Sequence, residues 1–283
     1  MPRRKNFRHP PGATRRNAES VQLDPGTSIL LSGGAAATAM ALAWLRQRRT
    51  GDAGLVDLVW TLGVGGAAVF HALTAGGWAP RRVLVASLAG AWAARLGLHL
   101  VRRLAHGPED GRYAELRIRL GQRANAWFFV FFQIQGLLVT GLGLAFLVLT
   151  RSDSAGWRVS DLLALVLYVV ALVGESLADR DLVRWRADPR NRGRTCRTGL
   201  WKYSRHPNYF FEWLHWLVYP VLGLGLDHGA WLWLAPLAMY ALVVHVTGIP
   251  PAEAQSLRNR GEDYRRYQAT TNAFFPGPPR AAQ

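Results

Sequence analysis

Residues 126–149, AWFFVFFQIQGLLVTGLGLAFLVL, contain no charged side chain. About 20 apolar residues in a row suffice to cross the hydrocarbon core of a bilayer. With no water there to satisfy its amides, the backbone must close its own hydrogen bonds, and a single segment can do so only as a helix. Six further apolar stretches have comparable length: 28–45, 57–78, 83–101, 160–179, 209–226 and 230–250. Together they predict an all-α polytopic membrane protein of about seven transmembrane helices, closed by a short cytoplasmic C-terminal helix after Pro250 and Pro251. Residues 1–27 read as a disordered basic tail, 28–276 as a single membrane domain and 277–283 as a second disordered tail. The first span reads as retained, because no short apolar region with a small-residue cleavage site follows the basic N-terminus.

Charged residues make up 18% of the chain and the formal net charge is +16. The arginines lie between apolar spans, which argues against nucleic acid as the partner and for membrane lipids with anionic headgroups. Seven spans put the two termini on opposite sides. The C-terminal side holds 23 Lys/Arg and the N-terminal side 10, six of them in the tail. The positive-inside rule therefore predicts an integral protein of a bacterial inner membrane, C-terminus cytoplasmic and N-terminus outside. The lone Cys196 excludes an internal disulfide, and no Cys/His cluster signals a metal. His71, His99, His215 and His245 are isolated and read as interhelical hydrogen bonders. Nothing specifies an oligomeric state.

Several polar groups exceed what topology requires. The fifth span ends VGESLADRDLVRWR, where Glu175, Asp179 and Arg186 share one helical face by their spacing. Carboxylates at that depth are costly unless paired or hydrated. They suit either a salt bridge between spans or the wall of a polar pocket, with Arg186 reaching for a phosphate. The sixth span opens GLWKYSRHPNYFFEW. Pro207 suits a first helical turn, and Asn208 and Glu212 lie one turn apart. Arg205 and His206 precede that helix start, where an anion is favoured. HGPEDGRYAELRIRL, residues 106–120, offers Glu109, Asp110, Arg112 and Tyr113. GEDYRRYQATTNAFFP, residues 261–276, offers Tyr264 and Tyr267 on a predicted helix. Asp57 and Trp60 open the second span as DLVW, a pattern that is more often structural.

The order of these pieces resembles the bacterial membrane branch of the steroid 5-alpha-reductase family. DLVW, GPEDGRYAELR, GESLADRDLVRWR, GLWKYSRHPNYFFEW and GIPPAEAQSLRNRGEDYRRYQATTNAFFP carry the likeness from about residue 50 to 276. The resemblance implies a seven-helix reductase that uses NADPH to place a hydride on the conjugated carbon–carbon double bond of a lipid or steroid-like enone. It puts Asp179, Arg186, Asn208 and Glu212 at cofactor-contacting positions. Glu175 stands where relatives have Asn, and Glu253 where some reductases have His. Arg205, His206, Tyr209, Tyr264 and Tyr267 complete the implied cofactor set. Tyr113, beside Glu109, falls at the tyrosine that polarises the substrate carbonyl. The RHP-x-Y…E pattern also resembles membrane methyltransferases that use S-adenosylmethionine on isoprenylcysteine or phospholipid headgroups. A non-catalytic lipid-binding scaffold is the third expectation.

Overall fold

The computed structural model describes residues 22–106 and 109–281, with the side chain of residue 106 left out. The expected disorder of residues 1–21 and of the last two residues lies outside the described part. Ten α-helices occur among the described residues, and no strand. They are α1 (Pro25–Thr50), α2 (Leu55–Thr74), α3 (Ala79–His106), α4 (Gly111–Leu120), α5 (Ala124–Arg151), α6 (Val159–Ala187), α7 (Pro207–Trp216), α8 (Val218–Leu222), α9 (Leu234–Ala241) and α10 (Ile249–Thr270). Asp24 caps α1, its carboxylate accepting from Thr27 N at 3.0 Å, and Gly51 closes the helix at φ 73°, a backbone angle suited to glycine.

Six helical stretches are long and apolar enough to cross a membrane, so the chain is a polytopic integral membrane protein in contact with lipid. The expected passage over 209–226 is no single helix: α7 ends at Trp216 and α8 begins at Val218. It nevertheless traverses the bundle. Asn208, at its start, meets Asp179 near the end of α6, whereas Leu222, at its end, accepts from Arg81 and Arg158 at the beginnings of α3 and α6. Residues 229–246 then return, and Thr247 O accepts from Arg112 at 3.3 Å. The path therefore makes seven passages, one of them built from two short helices.

The two ends of the bundle differ. At one end the Arg81 guanidinium forks onto both oxygens of Asp161, at 2.9 and 3.2 Å, with side chains 1% and 4% exposed. That buried pair pins α3, α6 and the α8 carbonyl of Leu222 together. The other end, called here the basic end, gathers the C-termini of α1, α3 and α6, the starts of α2, α5 and α7, and all of α4 and α10. α2 packs against α3 and α5, α1 against α5, and α6 against α7 and α8. Apolar burial drives this little in lipid, so close approach matters. At Gly174 any Cβ would run into the Phe211 ring, and this glycine lets α7 press against α6 beside Glu175.

The helices overrun the expected spans because polar residues at their ends stay helical; α6 continues to Ala187. The C-terminal helix starts at Ile249 and bends at Gly261, φ 49°. The expected disordered tail is anchored over its described part: Gly277 N donates to Tyr203 O at 3.0 Å and Arg280 N to Thr270 O at 2.8 Å.

Candidate functional site

Inside the basic end, α3 presents Trp92, Arg95, His99 and Arg103, which the helical repeat places along one side. Arg95 bridges two carboxylates of α6, Nη1 to Glu175 Oε1 at 2.6 Å and Nη2 to Asp179 Oδ2 at 2.5 Å. His99 Nδ1 stands 3.8 Å from the same Asp179 oxygen. From α7, Asn208 Nδ2 donates to Asp179 Oδ1 at 3.4 Å, and Glu212 accepts from Trp92 Nε1 at 2.9 Å and Trp216 Nε1 at 3.1 Å. Behind them Trp92 stacks on His215, whose Nε2 meets Tyr219 OH at 3.0 Å. Four of the expected cofactor residues, Glu175, Asp179, Asn208 and Glu212, thus converge on one spot.

The electrostatics of this cluster are lopsided. Three carboxylates surround a single arginine that pairs with two of them, and among the described residues Asn208 Oδ1 is buried without a hydrogen-bond partner. Such a site lacks donors. Ribose hydroxyls and a carboxamide N–H₂ are donors of the type it lacks, so the residues present fit the ribose–nicotinamide half of a dinucleotide.

A second cluster lies alongside. Tyr113, 5% exposed, donates its hydroxyl proton to Asp57 Oδ1 at 2.7 Å. Asp57 Oδ2 also meets Arg103 at 3.1 Å and Arg112 at 3.4 Å. Arg112 bonds Asp110 at 3.0 Å; although burial pushes the Asp110 carboxyl up, that guanidinium holds it below its ordinary value. Glu109 is engaged elsewhere, accepting from Ala53 N at 2.8 Å and Arg117 at 3.0 Å, and so ties the α1–α2 connection to α4. Tyr209 joins this cluster to the next: it lies in the field of Arg112, Asp110 and Asp57 while its ring stacks on His206 at 5.3 Å.

The third cluster centres on Glu253. Its Oε1 receives Arg205 Nε at 2.7 Å, His206 Nε2 at 3.2 Å and Tyr264 OH at 3.3 Å, and its Oε2 receives Gln268 at 2.7 Å. Arg205 further donates to the Gln268 and Thr271 carbonyls at 3.1 and 2.5 Å. Burial pushes the His206 imidazole below its ordinary value, against the opposing pull of Glu253. Tyr267 donates to the Trp201 and Ser204 carbonyls. These contacts dock α10 onto the start of α7 and the segment just before it, and Arg205 spends its Nε and Nη1 on that task. Arg186 differs: it is exposed, and among the described residues it makes no ion pair or hydrogen bond.

The sequence pointed to the carboxylates and missed their cation. Arg95 stood out as a charge within a Gly/Ala-rich span, and its four-residue spacing to His99 and Arg103 was the available signal. Asp57 belongs with Tyr113 as well as to a helix start. Two hollows lie apart from the clusters. An apolar groove of about 480 Å³, lined by Gly65, Gly66, Gly90, Ala93 and neighbours, opens on the side of α3 away from Trp92. A polar hollow of about 330 Å³, lined by Asp181, Trp185, Asp188 and Thr198, sits on the side of α6 away from Asp179.

Residues 43–271, which hold the three clusters, match the model of a family described as "Protein of unknown function (DUF1295)". The chain belongs to this family. A fission-yeast protein, "Uncharacterized protein C594.04c" of Schizosaccharomyces pombe, is 27% identical over 228 residues. That match takes in 69% of this chain and 63% of the yeast protein, so the chain spans less than two thirds of its relative. No solved structure matches.

Proposed function

We propose that this DUF1295 protein is a membrane-embedded reductase that uses NADPH on the conjugated double bond of a hydrophobic, lipid or steroid-like enone. The observation that carries the reading is the orphaned, buried acceptor Asn208 Oδ1 beside Glu175, Asp179 and Glu212. The two α6 carboxylates of this cluster lie on the same helix as the exposed cation Arg186, which has no ion pair among the described residues and sits about 16 Å beyond Glu175 and about 10 Å beyond Asp179 by the helical rise. A dinucleotide has matching ends: a hydroxyl- and amide-bearing one, and an anionic one. The resemblance to the steroid 5-alpha-reductase family supports the same assignment.

Bound NADPH would supply the hydride. The chain's own residues would hold the ribose and carboxamide through Asp179, Asn208 and Glu212, keep water away with Trp92 and Trp216, and keep a proton at the Tyr113 hydroxyl, poised by Asp57, for the oxygen of the substrate. The basic end carries most of the arginine and on the positive-inside argument faces the cytoplasm, where the cofactor enters.

Thermal-shift titration of the full chain in mild detergent with NADPH, NADH and S-adenosylmethionine tests the reading. NADPH raises the Tm. A rise with S-adenosylmethionine alone would make the protein a methyltransferase instead, and no rise with any of the three would leave the scaffold reading.

A further inference from the structure

On α6 the exposed side is apolar through Leu162, Val166, Val169 and Val173, and then it turns cationic. Arg180 and Arg184 continue the same stripe, about two and three turns past Val173. A lipid-facing stripe that passes from valine to arginine marks the level of the phospholipid headgroups. The polar hollow of about 330 Å³ opens at that level beside Arg184, with Asp181 and Trp185 on the helix and Asp188, Asn191, Thr198 and Gly199 in the connection to α7. Asp188 is engaged by Arg190 at 2.7 Å. Asp181 is not engaged in this way: its one ionic neighbour among the described residues is Arg180, 3.8 Å away and beyond hydrogen-bond reach. Gly199 packs so closely on this carboxylate that a Cβ there would run into Oδ2. Arg184 makes no ion pair among the described residues.

We infer that this hollow binds the phosphoethanolamine headgroup of a phospholipid, its phosphate on Arg184 and its ammonium on Asp181 beside the Trp185 ring. Arginines alone would favour any anionic lipid. An under-paired carboxylate in the same hollow changes that balance: it repels a headgroup that is only negative and attracts one that carries both signs. The donors match as well. Asp181 accepts, and so does Asn191 Oδ1, whose amide Nδ2 is already used on Trp185 O at 3.0 Å. A primary ammonium brings three N–H groups to these oxygens. A trimethylammonium brings none and is held by cages of several rings, whereas Trp185 is the one ring among the described residues that line the hollow. The hollow lies on the side of α6 away from Asp179, so the site does not depend on the reductase reading. Two sources carry the group, phosphatidylethanolamine and free phosphoethanolamine.

The test places the full chain in nanodiscs of phosphatidylcholine, phosphatidylethanolamine and phosphatidylglycerol in equal parts, and reads the retained lipids by native mass spectrometry for wild type, Asp181→Asn and Arg184→Gln. The Tm of wild type and Asp181→Asn in mild detergent is followed alongside, with free phosphoethanolamine or phosphocholine added. For the lipid, wild type keeps phosphatidylethanolamine at least ~10-fold over either other lipid; Asp181→Asn loses most of the preference over phosphatidylcholine, and Arg184→Gln retains several-fold less of it in total. For the soluble compound, free phosphoethanolamine raises the Tm of wild type and not of Asp181→Asn, phosphocholine raises neither, and no lipid is preferred; that outcome keeps the site and changes its source. Retention led by phosphatidylglycerol, variants that match wild type, or a wild type that prefers no lipid and ignores free phosphoethanolamine would overturn the site.

Discussion

Arg95 and Glu175 meet at 2.6 Å inside the bundle, joining the third passage to the fifth through side chains 17% and 7% exposed. The same guanidinium holds Asp179, so one cation from α3 sets the position of the α6 carboxylates to which Asn208 of α7 is attached. The geometry of the inner cluster depends on this residue more than on any group that the sequence singled out.

Removing that cation leaves two enclosed carboxylates uncompensated. Arg95→Ala is expected to destabilise the protein by about 3–5 kcal/mol, the range seen when one member of a buried pair is lost. The triple variant Arg95→Ala, Glu175→Gln, Asp179→Asn should recover a substantial part of that loss, because no bare charge remains. Chemical or thermal unfolding in a defined detergent measures both. A triple variant no more stable than the single one would show that the pairing is not what holds these helices.

Tyr113 donates to Asp57, so its hydroxyl is positioned before any substrate arrives. Tyr113→Phe keeps the ring and removes the donor. On the proposed reaction it lowers turnover by a factor of ~100, the usual scale for a lost acid, while NADPH affinity stays within about twofold. Asp57→Asn tests positioning: it should lower turnover less than Tyr113→Phe and shift the pH profile. Equal turnover in wild type and Tyr113→Phe would remove this tyrosine from the reaction.

Acid should weaken the docking of α10. Burial keeps the His206 pKa below its ordinary 6.5 in the folded protein. On acidification the unfolded chain takes up that proton first, so the histidine's contribution favours unfolding increasingly as pH falls through 6.5. The Tm should therefore drop between about pH 7.5 and pH 5.5, and drop less in His206→Gln, which cannot titrate there. The Asp110 carboxyl, held below its ordinary 3.8, adds a loss of the same sign only at much lower pH. A variant with the same pH slope as wild type would assign the effect to another group.

The path of the chain was readable because hydrophobicity in a bilayer is a local property: a run such as 126–149 has one solution whatever its neighbours do. The break between α7 and α8 went unread although Pro220 signals it: with no N–H, it cannot donate to Trp216 O four residues earlier, and α7 ends there. Within the site, the shared faces of Glu175 with Asp179 and of Asn208 with Glu212 followed from helical spacing alone. Their cation did not, because Arg95 lies 80 positions before Glu175 in sequence, as the numbering shows, and spacing says nothing about which passage lies opposite. The same limit hid the pairing of Tyr113 with Asp57 and of Arg205 with Glu253, contacts between segments far apart in the chain.

The fully buried Arg81–Asp161 fork ties the far ends of α3 and α6 to the last turn of α8. α3 and α6 are thus tied twice, by this fork at one end and by Arg95 with Glu175 and Asp179 toward the other. A ligand that parts α3 from α6 from the arginine-rich face therefore meets the Arg95 tie first and the Arg81 lock last, so two stops along the bundle limit how far it can reach.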